Sequence, residues 1–342
     1  MATIKDIAQQ AGVAPSTVSR VLSHDSSMSV SSATRALIIS TAERLHYQSP
    51  RQRKQAKAPV QPSAGNSAFL ADPQLSLAVV HFLTPSEELG DPFYTSIRIG
   101  IENYCHKHNV ALRNTFKSQL TANRHLLSES QAVICVGHFS EQEAHTLYSM
   151  NKNLIFIDSN PLQKLCDSVQ FNREAAAEEV VSYILKSGAA RPAFIGNSET
   201  RLHVFRRMTQ AHGVYREALC KVSRNFCIES GYVAMTEMLQ QAEIPDVVFA
   251  STDIVAIGVY RAIQENNLRI PDDIKVVGMN DIPTSEHLNP SLSSMRLYPK
   301  EMGEAAVDLF LELAAGREYK KDVMLGYQFI WRDSFSQAEL AK

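Results

Sequence analysis

The 342-residue chain lacks any stretch of 18 or more apolar residues, so no membrane span is expected. Its first residues, MATIKDIAQQ, contain no apolar run after Lys5, so a signal peptide is not expected either. The five cysteines, Cys105, Cys135, Cys166, Cys220 and Cys227, have neither metal-ligand nor redox spacing. Their odd number and scatter fit buried free thiols in a reducing cytoplasm. Also absent are a Walker loop, a GxGxxG fingerprint, a nucleophile elbow and a metal-binding motif, so no catalytic residue, cofactor or metal is expected. What is present is ordinary for globular domains, 44% hydrophobic and 20% charged residues, in a chain long enough for two or more of them.

The net charge of −2 is unevenly spread. Residues 1–60 carry eight Lys or Arg (Lys5, Arg20, Arg35, Arg44, Arg51, Arg53, Lys54, Lys57) against three acids (Asp6, Asp25, Glu43), a charge of +5 that leaves −7 for the rest. A small basic head on an acidic body points to a polyanionic partner for the head.

Within that head, DIAQQAGVAPSTVSRVL predicts two short helices with a break between them. Thr3 and Asp6 have capping-box spacing, and Ile4, Ile7, Ala8 and Ala11 follow the helical i, i+3, i+4, i+7 pattern. Gly12 suits the left-handed backbone of a tight turn, and Pro15 suits the first turn of a new helix. Val18, Val21 and Leu22 form the second apolar stripe. A third helix is expected from Ser31 to about His46, with Ala33, Leu37, Ile38, Thr41, Ala42 and Leu45 inward. This is an all-α helix-turn-helix head. The break frees the polar face of the second helix, Ser16, Thr17, Ser19 and Arg20, to enter a major groove. There Arg20 can fork onto guanine O6 and N7, and the hydroxyls can bond phosphates or base edges.

The stretch TIKDIAQQAGVAPSTVSRVL, continued by VSSATRALIISTAERLHY, closely resembles the head of the LacI/GalR family of bacterial repressors. The resemblance implies that Pro15, Ser16 and Arg20 are the main base readers, and that Thr3, Thr17, Ser19 and Tyr47 lie near phosphates. Ala14 departs from the family's usual capping Ser, at a cost of about 1 kcal/mol partly offset by Pro15. Residues 48–73 are polar, basic and rich in Pro, Ala and Ser, and read as a tether. In the family a hinge helix forms here on operator DNA and wedges a Leu into the minor groove. The matching position is Ala56, so this hinge is expected to bind mainly by the charges of Arg51, Arg53, Lys54 and Lys57 and to kink DNA less.

From Leu75 the pattern alternates strand and helix. LSLAVVHFL, QAVICVG, NLIFIDSN, RPAFIGN, DVVFAST and IKVVGMND read as buried strands, with helices such as REAAAEEVVSYILKSG and DIVAIGVYRAIQENN between them. Such alternation predicts parallel sheets with helices on both faces, and about 260 residues of it predict two doubly wound lobes. Ligands of open α/β sheets sit beyond the carboxyl ends of the strands, which points to His81, Asp158, Thr252, Asp253, Asn280 and Asp281. Asp158 and Asp253 could be paired acids with His81 as base. Binding explains the same residues better: carboxylates and amides suit the hydroxyls of a sugar, and Phe93 can stack on a pyranose face.

The resemblance extends through the body, in FIDSN, RPAFIGN, SGYVAMTEML, DVVFASTDIVAIGVYRAIQENNLRIPDDIKVVGMNDIP and NPSLSSMRLYPKEMGEAAVDL. It implies a core like that of periplasmic sugar-binding proteins. It also places Arg201, in RLHVF, at the family's ligand-binding arginine, and Asp158 and Asn280 at sugar contacts. Asn280 and Thr252 replace the more usual Asp and Asn. With GDPFYTSIRIGIE and NDIPT, these departures most resemble a repressor of a β-galactosidase operon, which implies a β-galactoside inducer such as lactose. The expected domains are the head at 1–47, the hinge at 48–73, the two-lobed core at 74–335 and a tail at 336–342.

A helix-turn-helix reads one half-site, so a homodimer on double-stranded operator DNA is expected, acting in the cytoplasm at the nucleoid. Ile97, Ile101 and Tyr104 are candidates for dimer contacts or for core. No heptad run of the kind that tetramerises relatives follows WRDSFSQAEL. Induction and co-repression both stay open, since purine-type members of the family bind DNA only with a co-repressor. A sugar-binding protein without a DNA role is disfavoured by the recognition helix.

Overall fold

The computed structural model describes residues 3–22, 30–45, 75–223 and 225–338, and the chain divides into two units, Met1–Leu70 and Ala71–Lys342. In the first unit, α1 (Ile4–Ala11) opens with a reciprocal cap. The Asp6 amide donates to the Thr3 hydroxyl oxygen at 3.4 Å, and the Thr3 amide donates to the Asp6 carboxylate at 2.7 Å. That carboxylate is held below its usual range by the bond from the Thr3 amide and then by the Thr3 hydroxyl. Gly12 ends the helix at φ 65°, a left-handed conformation that costs glycine nothing. After that turn, α2 (Pro15–Leu22) starts on a proline whose missing N–H has no helical partner to lose.

The third helix, α3, spans Ser32–Arg44, and its preceding Ser31 hydroxyl accepts from the Thr34 amide at 3.1 Å. Ile7, Ala8, Ala11, Val18, Val21, Ile38 and Ala42 form one buried cluster. Leu37, expected inward, is 49% exposed instead. The inner stripe runs through Ile38, Thr41, Ala42 and Leu45, and a residue one position earlier sits about 100° around the helix from Ile38. The expected hinge at 48–73, Ala56 within it, and His46 lie outside the described residues.

The second unit is two lobes, each built on a six-stranded sheet. The first lobe contains β1 (Ser76–His81), β2 (Ala111–Phe116), β3 (Ala132–Gly137), β4 (Leu154–Asp158) and β5 (Asp167–Phe171). The second contains β6 (Pro192–Gly196), β7 (Cys220–Val222), β8 (Val247–Ala250), β9 (Lys275–Asn280) and β10 (Ser293–Arg296). Then β11 (Asp322–Leu325) returns to the first sheet and β12 (Gln328–Ile330) to the second. The orders are β11-β5-β4-β3-β1-β2, parallel throughout, and β12-β10-β9-β8-β6-β7, parallel except for β12 against β10. The antiparallel edge departs from the all-parallel expectation. It exists because the chain passes between the lobes after β5, β10 and β11, and the last passage enters β12 directly with no helix to reverse it.

Helices α4 (Pro85–Leu89), α5 (Pro92–Lys107), α6 (Arg124–Glu129) and α7 (Glu141–Met150) belong to the first lobe. The second lobe carries α8 (Arg173–Lys186), α9 (Thr200–Ala211), α10 (Ile228–Leu239) and α11 (Asp253–Glu265), while α12 (Pro299–Ala314) packs on α5 of the first. Each lobe has a helix pair in backbone contact: a Cβ on Gly303 of α12 would overlap the Ile97 carbonyl of α5, and one on Gly258 of α11 would overlap the Ile228 carbonyl of α10. The inward stripe of α5 is Phe93, Ile97, Ile101 and Cys105, so Ile97 and Ile101 are core, and only Tyr104 of the three dimer candidates is half-buried. All five cysteines are free, three of them buried, and burial pushes the Cys105 thiol up to about 12 and the Cys166 thiol to about 11. Among the described residues no helix is long and apolar enough to cross a membrane.

Candidate functional site

In the head, Pro15, Ser16, Ser19 and Arg20 of α2 are exposed and Thr17 is half-buried, while Val18 and Val21 hold the opposite face in the core. The expected reading face is therefore a single outward strip of one short helix. Thr3 is exposed, and its hydroxyl donates to the Asp6 carboxylate at 2.8 Å, so it works as a cap as well as a candidate phosphate neighbour. Tyr47, Arg51, Arg53 and Lys54 lie outside the described residues.

In the second unit, the carboxyl ends of both parallel sheets open on a cleft of about 680 Å³ between the lobes. Its first-lobe wall is Phe82, Leu83, Ser86, Glu87, Gly90, Asp91, Tyr94, His138, Asp158 and Ser159. The facing wall carries Asn197, Ser198, Glu199, Arg201, Phe226 and Cys227, with Arg173 at the first turn of α8. Three aromatic faces, Phe82, Tyr94 and Phe226, thus flank four carboxylates and two guanidinium groups.

Asp158, the last residue of β4, adopts φ 77°. This left-handed conformation is uncommon for a side-chain-bearing residue and least costly for Asn and Asp. One carboxylate oxygen accepts from the Tyr94 hydroxyl at 2.8 Å, and the other takes the Arg173 guanidinium. Burial, followed by the nearby Asp158 charge, raises the Tyr94 phenol well above its usual value, so it stays a proton donor. Asp91 caps α5, accepting from the Phe93 and Tyr94 amides at 3.0 and 3.3 Å, and this cap orients the Tyr94 ring. Burial raises the Asp91 carboxyl, opposed by those two amides.

Across the cleft, Arg201 lies in the first turn of α9, nearly buried. Its Nε donates to Glu199, and one terminal nitrogen donates to the Ser251 carbonyl and lies 3.7 Å from the Met279 sulfur. The guanidinium carbon sits 5.4 Å from the centre of the Phe226 ring, a cation–π arrangement. Asp158, Arg173, Glu199 and Arg201 therefore alternate in charge from one lobe to the other.

Of the effector contacts expected from sequence, Asp158 and Arg201 line this cleft; His81, Phe93, Thr252, Asp253 and Asn280 do not. His81 turns into the first lobe: its Nε2 is 3.2 Å from Asn114 Oδ1, and its Nδ1 is 3.8 Å from the buried Glu88 carboxylate. Burial lowers its pKa, opposed by Asn114 and Glu88. Phe93 follows the inward stripe of α5, and Tyr94, about 100° further round, takes its place at the cleft. Thr252 caps α11, its hydroxyl accepting from the Val255 amide at 3.4 Å.

Asp253 is fully buried and accepts from the Ile282 amide (2.8 Å), the Ser285 hydroxyl (2.8 Å) and the Ser294 hydroxyl (2.6 Å). Burial raises its pKa to about 6 despite these donors. Asn280, at φ 116°, is half-buried at the end of β9. The following Asp281 is bracketed by Arg296 at 2.6 Å and Arg332 at 2.7 Å, which ties β9 to β10 and to the segment after β12.

Sequence reasoning missed Tyr94, Arg173 and Glu199. Each had a local signal: Tyr94 and Arg173 follow the helix openings Asp91-Pro92 and Asn172, and Glu199 stands two residues before Arg201.

Comparison with known proteins places both units. Residues 3–49 match the bacterial regulatory proteins of the lacI family, and residues 181–335 match the periplasmic binding protein-like domain. The HTH-type transcriptional regulator GalR of Streptococcus thermophilus is 30% identical over 347 residues, covering 98% of this chain and 99% of that protein. The lactose operon repressor of Rhizobium radiobacter is 48% identical over 106 residues, 31% of this chain and 94% of that one. The crystal structure of the lac repressor dimer bound to operator and the anti-inducer ONPF superposes with a TM-score of 0.68 at 21% identity, covering 98% and 99% of the two chains.

Proposed function

The chain belongs to the lacI family of bacterial regulatory proteins, and from that premise we propose a homodimeric repressor whose hold on operator DNA is loosened by a small sugar bound in the cleft. That it is a sequence-specific DNA-binding transcriptional repressor and not an enzyme follows from its family and relatives. The sugar, the dimer and the residue roles are the proposal. One observation carries it: carboxylates, guanidinium groups and aromatic faces converge on one cleft between lobes joined by three chain passages. Hydroxyls arrayed on a ring satisfy such groups, and an aromatic face covers the apolar side of a pyranose. Asp158 and Arg201 are the contacts we assign to the sugar, joined by Tyr94 and Arg173.

In the head, Pro15, Ser16 and Arg20 read base edges, and Thr3, Thr17 and Ser19 sit at phosphates. Tyr47 and the basic residues of a hinge at 48–73, Arg51, Arg53 and Lys54, add further phosphate contacts. A dimer follows from half-site reading, and the protein acts on the nucleoid in the cytoplasm. Regulation is linkage: a sugar that prefers one arrangement of the lobes shifts operator affinity by the same coupling free energy. Among sugars we favour β-galactosides, supported by the identity to a lactose operon repressor over 31% of the chain.

The test is calorimetric titration with lactose, lactulose, galactose, melibiose and ribose, followed by operator release in a mobility-shift assay. Lactose or lactulose binding that releases operator DNA supports the reading. A sugar that tightens operator binding replaces induction by co-repression, and a response to ribose alone removes the β-galactoside assignment. Arg201→Ala is expected to abolish the sugar response with operator affinity retained, and unchanged sugar affinity in that variant overturns its role.

A further inference from the structure

Resting on the sugar reading of the cleft, we propose that Glu199 sets the charge class of the ligand: it makes the cleft a site for neutral sugars and bars sugar phosphates and sugar acids. In the wall formed by the start of α9, Glu199 lies between the two cleft arginines. One of its oxygens takes the Nε of Arg201, and the other lies 3.9 Å from the Nε of Arg173. That Arg173 Nε is buried and makes no hydrogen bond, and Glu199 is the carboxylate paired with it. The remaining carboxylate partner of Arg173 is Asp158. Both guanidinium charges of the cleft are therefore already matched, one by Glu199 and one by Asp158.

The other charged groups on the lining are Glu87 and Asp91. Glu87 is kept ionised by the amide and then the hydroxyl of Thr84, which hold its carboxyl below the usual range. The lining thus carries four carboxylates against two guanidinium groups. An anionic ligand could gain an arginine only by displacing a carboxylate from it, in a cleft whose balance is already negative. Neutral hydroxyls meet no such competition. They donate to the free lone pairs of Asp158 and Glu199 and accept from guanidinium N–H groups without breaking either pair. Glu199→Gln keeps a hydrogen-bonding oxygen beside Arg201 and removes only the charge, which leaves Arg201 a full counter-charge to offer.

The experiment compares wild-type protein, Glu199→Gln and Glu199→Asp by calorimetric titration with galactose, galactose 6-phosphate and galacturonate. Operator binding of each variant serves as the check that it is folded. In Glu199→Gln the ratio of anionic to neutral affinity is expected to rise at least tenfold, and in Glu199→Asp, which keeps the charge, it stays near the wild-type ratio. Adding Arg201→Ala to Glu199→Gln returns the anion affinity to the wild-type level. If galactose fails to bind while galactose 6-phosphate binding still rises tenfold in Glu199→Gln and depends on Arg201, the role of Glu199 stands and the neutral-sugar reading falls. Equal ratios in wild type and Glu199→Gln overturn the role of Glu199 whatever sugar binds, as does a failure of Glu199→Gln to take either anion.

Discussion

Asp158 and Asp253 occupy comparable places in the two lobes, one ending β4 and the other three residues past the end of β8, and their fates are opposite. Asp158 faces the cleft, with the Tyr94 hydroxyl on one oxygen and the Arg173 guanidinium on the other. Asp253 has no exposure at all and is closed over by Ile282, Ser285 and Ser294. A strand end determines how near a residue comes to the cleft; the direction of its side chain depends on what the neighbouring loops offer. After β9 the chain brings an amide and a serine back over Asp253, and β10 adds a second serine. Among the described residues no such set of donors closes over Asp158, whose side chain lines the cleft between Tyr94 and Arg173.

The sharpest way to break this contrast is to remove each carboxylate. Asp253→Ala leaves three buried donors without an acceptor, so it is expected to cost about 3–5 kcal/mol of stability, read as an earlier urea midpoint. Asp158→Ala leaves the Tyr94 hydroxyl and an Arg173 guanidinium that still reaches the cleft without their acceptor, so it is expected to cost less, about 1–3 kcal/mol, and to abolish sugar binding. If the two variants lose similar stability, the division into a structural and a ligand-facing aspartate fails.

Protonation sharpens it further, since buried groups in the two lobes answer acid with opposite signs. The folded pKa of Asp253 is raised to about 6, against roughly 3.9 when unfolded. Its contribution to stability is complete below the unfolded value and is lost as pH rises through about 6, a difference of roughly 2 kcal/mol between pH 4 and pH 7. Asp281 is the nearby charge that adds to this effect, after burial itself. His81 is depressed, chiefly by burial, with Glu88 and Glu102 opposing and Arg98 reinforcing that shift. Its contribution is present above the unfolded value of about 6.5 and is lost as pH falls below it. Hydrogen exchange corrected for intrinsic rates is therefore expected to show β9 gaining protection from pH 7 to pH 5 and β1 losing it. His81→Phe isolates the second effect from the raised Asp91 carboxyl in the same lobe, which acts in the opposite sense. Parallel responses in both strands, with or without His81, remove the distinction.

The same contrast explains what could be read from sequence. The helix starts and the turn of the head were legible because their signals are local: a hydroxyl three positions before an acid, a glycine at a turn, a proline at a helix start; the inward face of α3, where Leu37 is exposed, was less so. The two-lobed core was legible because strand and helix alternate with clear periods. The outward side of the core was only partly legible. His81 and Asp253 satisfy the strand-end rule as well as Asp158 does, but their partners Asn114, Glu88, Ser285 and Ser294 come from distant segments that no local pattern connects. Glu199 and Arg173 gave no periodic signal at all, being single charged residues at helix openings.

The adjacent pair Phe93 and Tyr94 offers the finest test, because one residue of rotation on α5 separates core from cleft. Tyr94→Phe keeps the ring and removes the hydroxyl that donates to Asp158 at 2.8 Å. Its expected effect is a loss of about 1 kcal/mol, roughly fivefold in sugar affinity, since the carboxylate loses one of the two groups that aim it. Phe93→Leu is expected to leave sugar affinity unchanged and to lower stability by about 1–2 kcal/mol, the cost of a smaller side chain in the stripe that contains Ile97 and Ile101. The reverse result, with sugar affinity lost in Phe93→Leu and kept in Tyr94→Phe, would return the stacking role to Phe93. It would also mean that the first turn of α5 rotates when ligand binds, because only such a rotation brings the buried ring to the cleft.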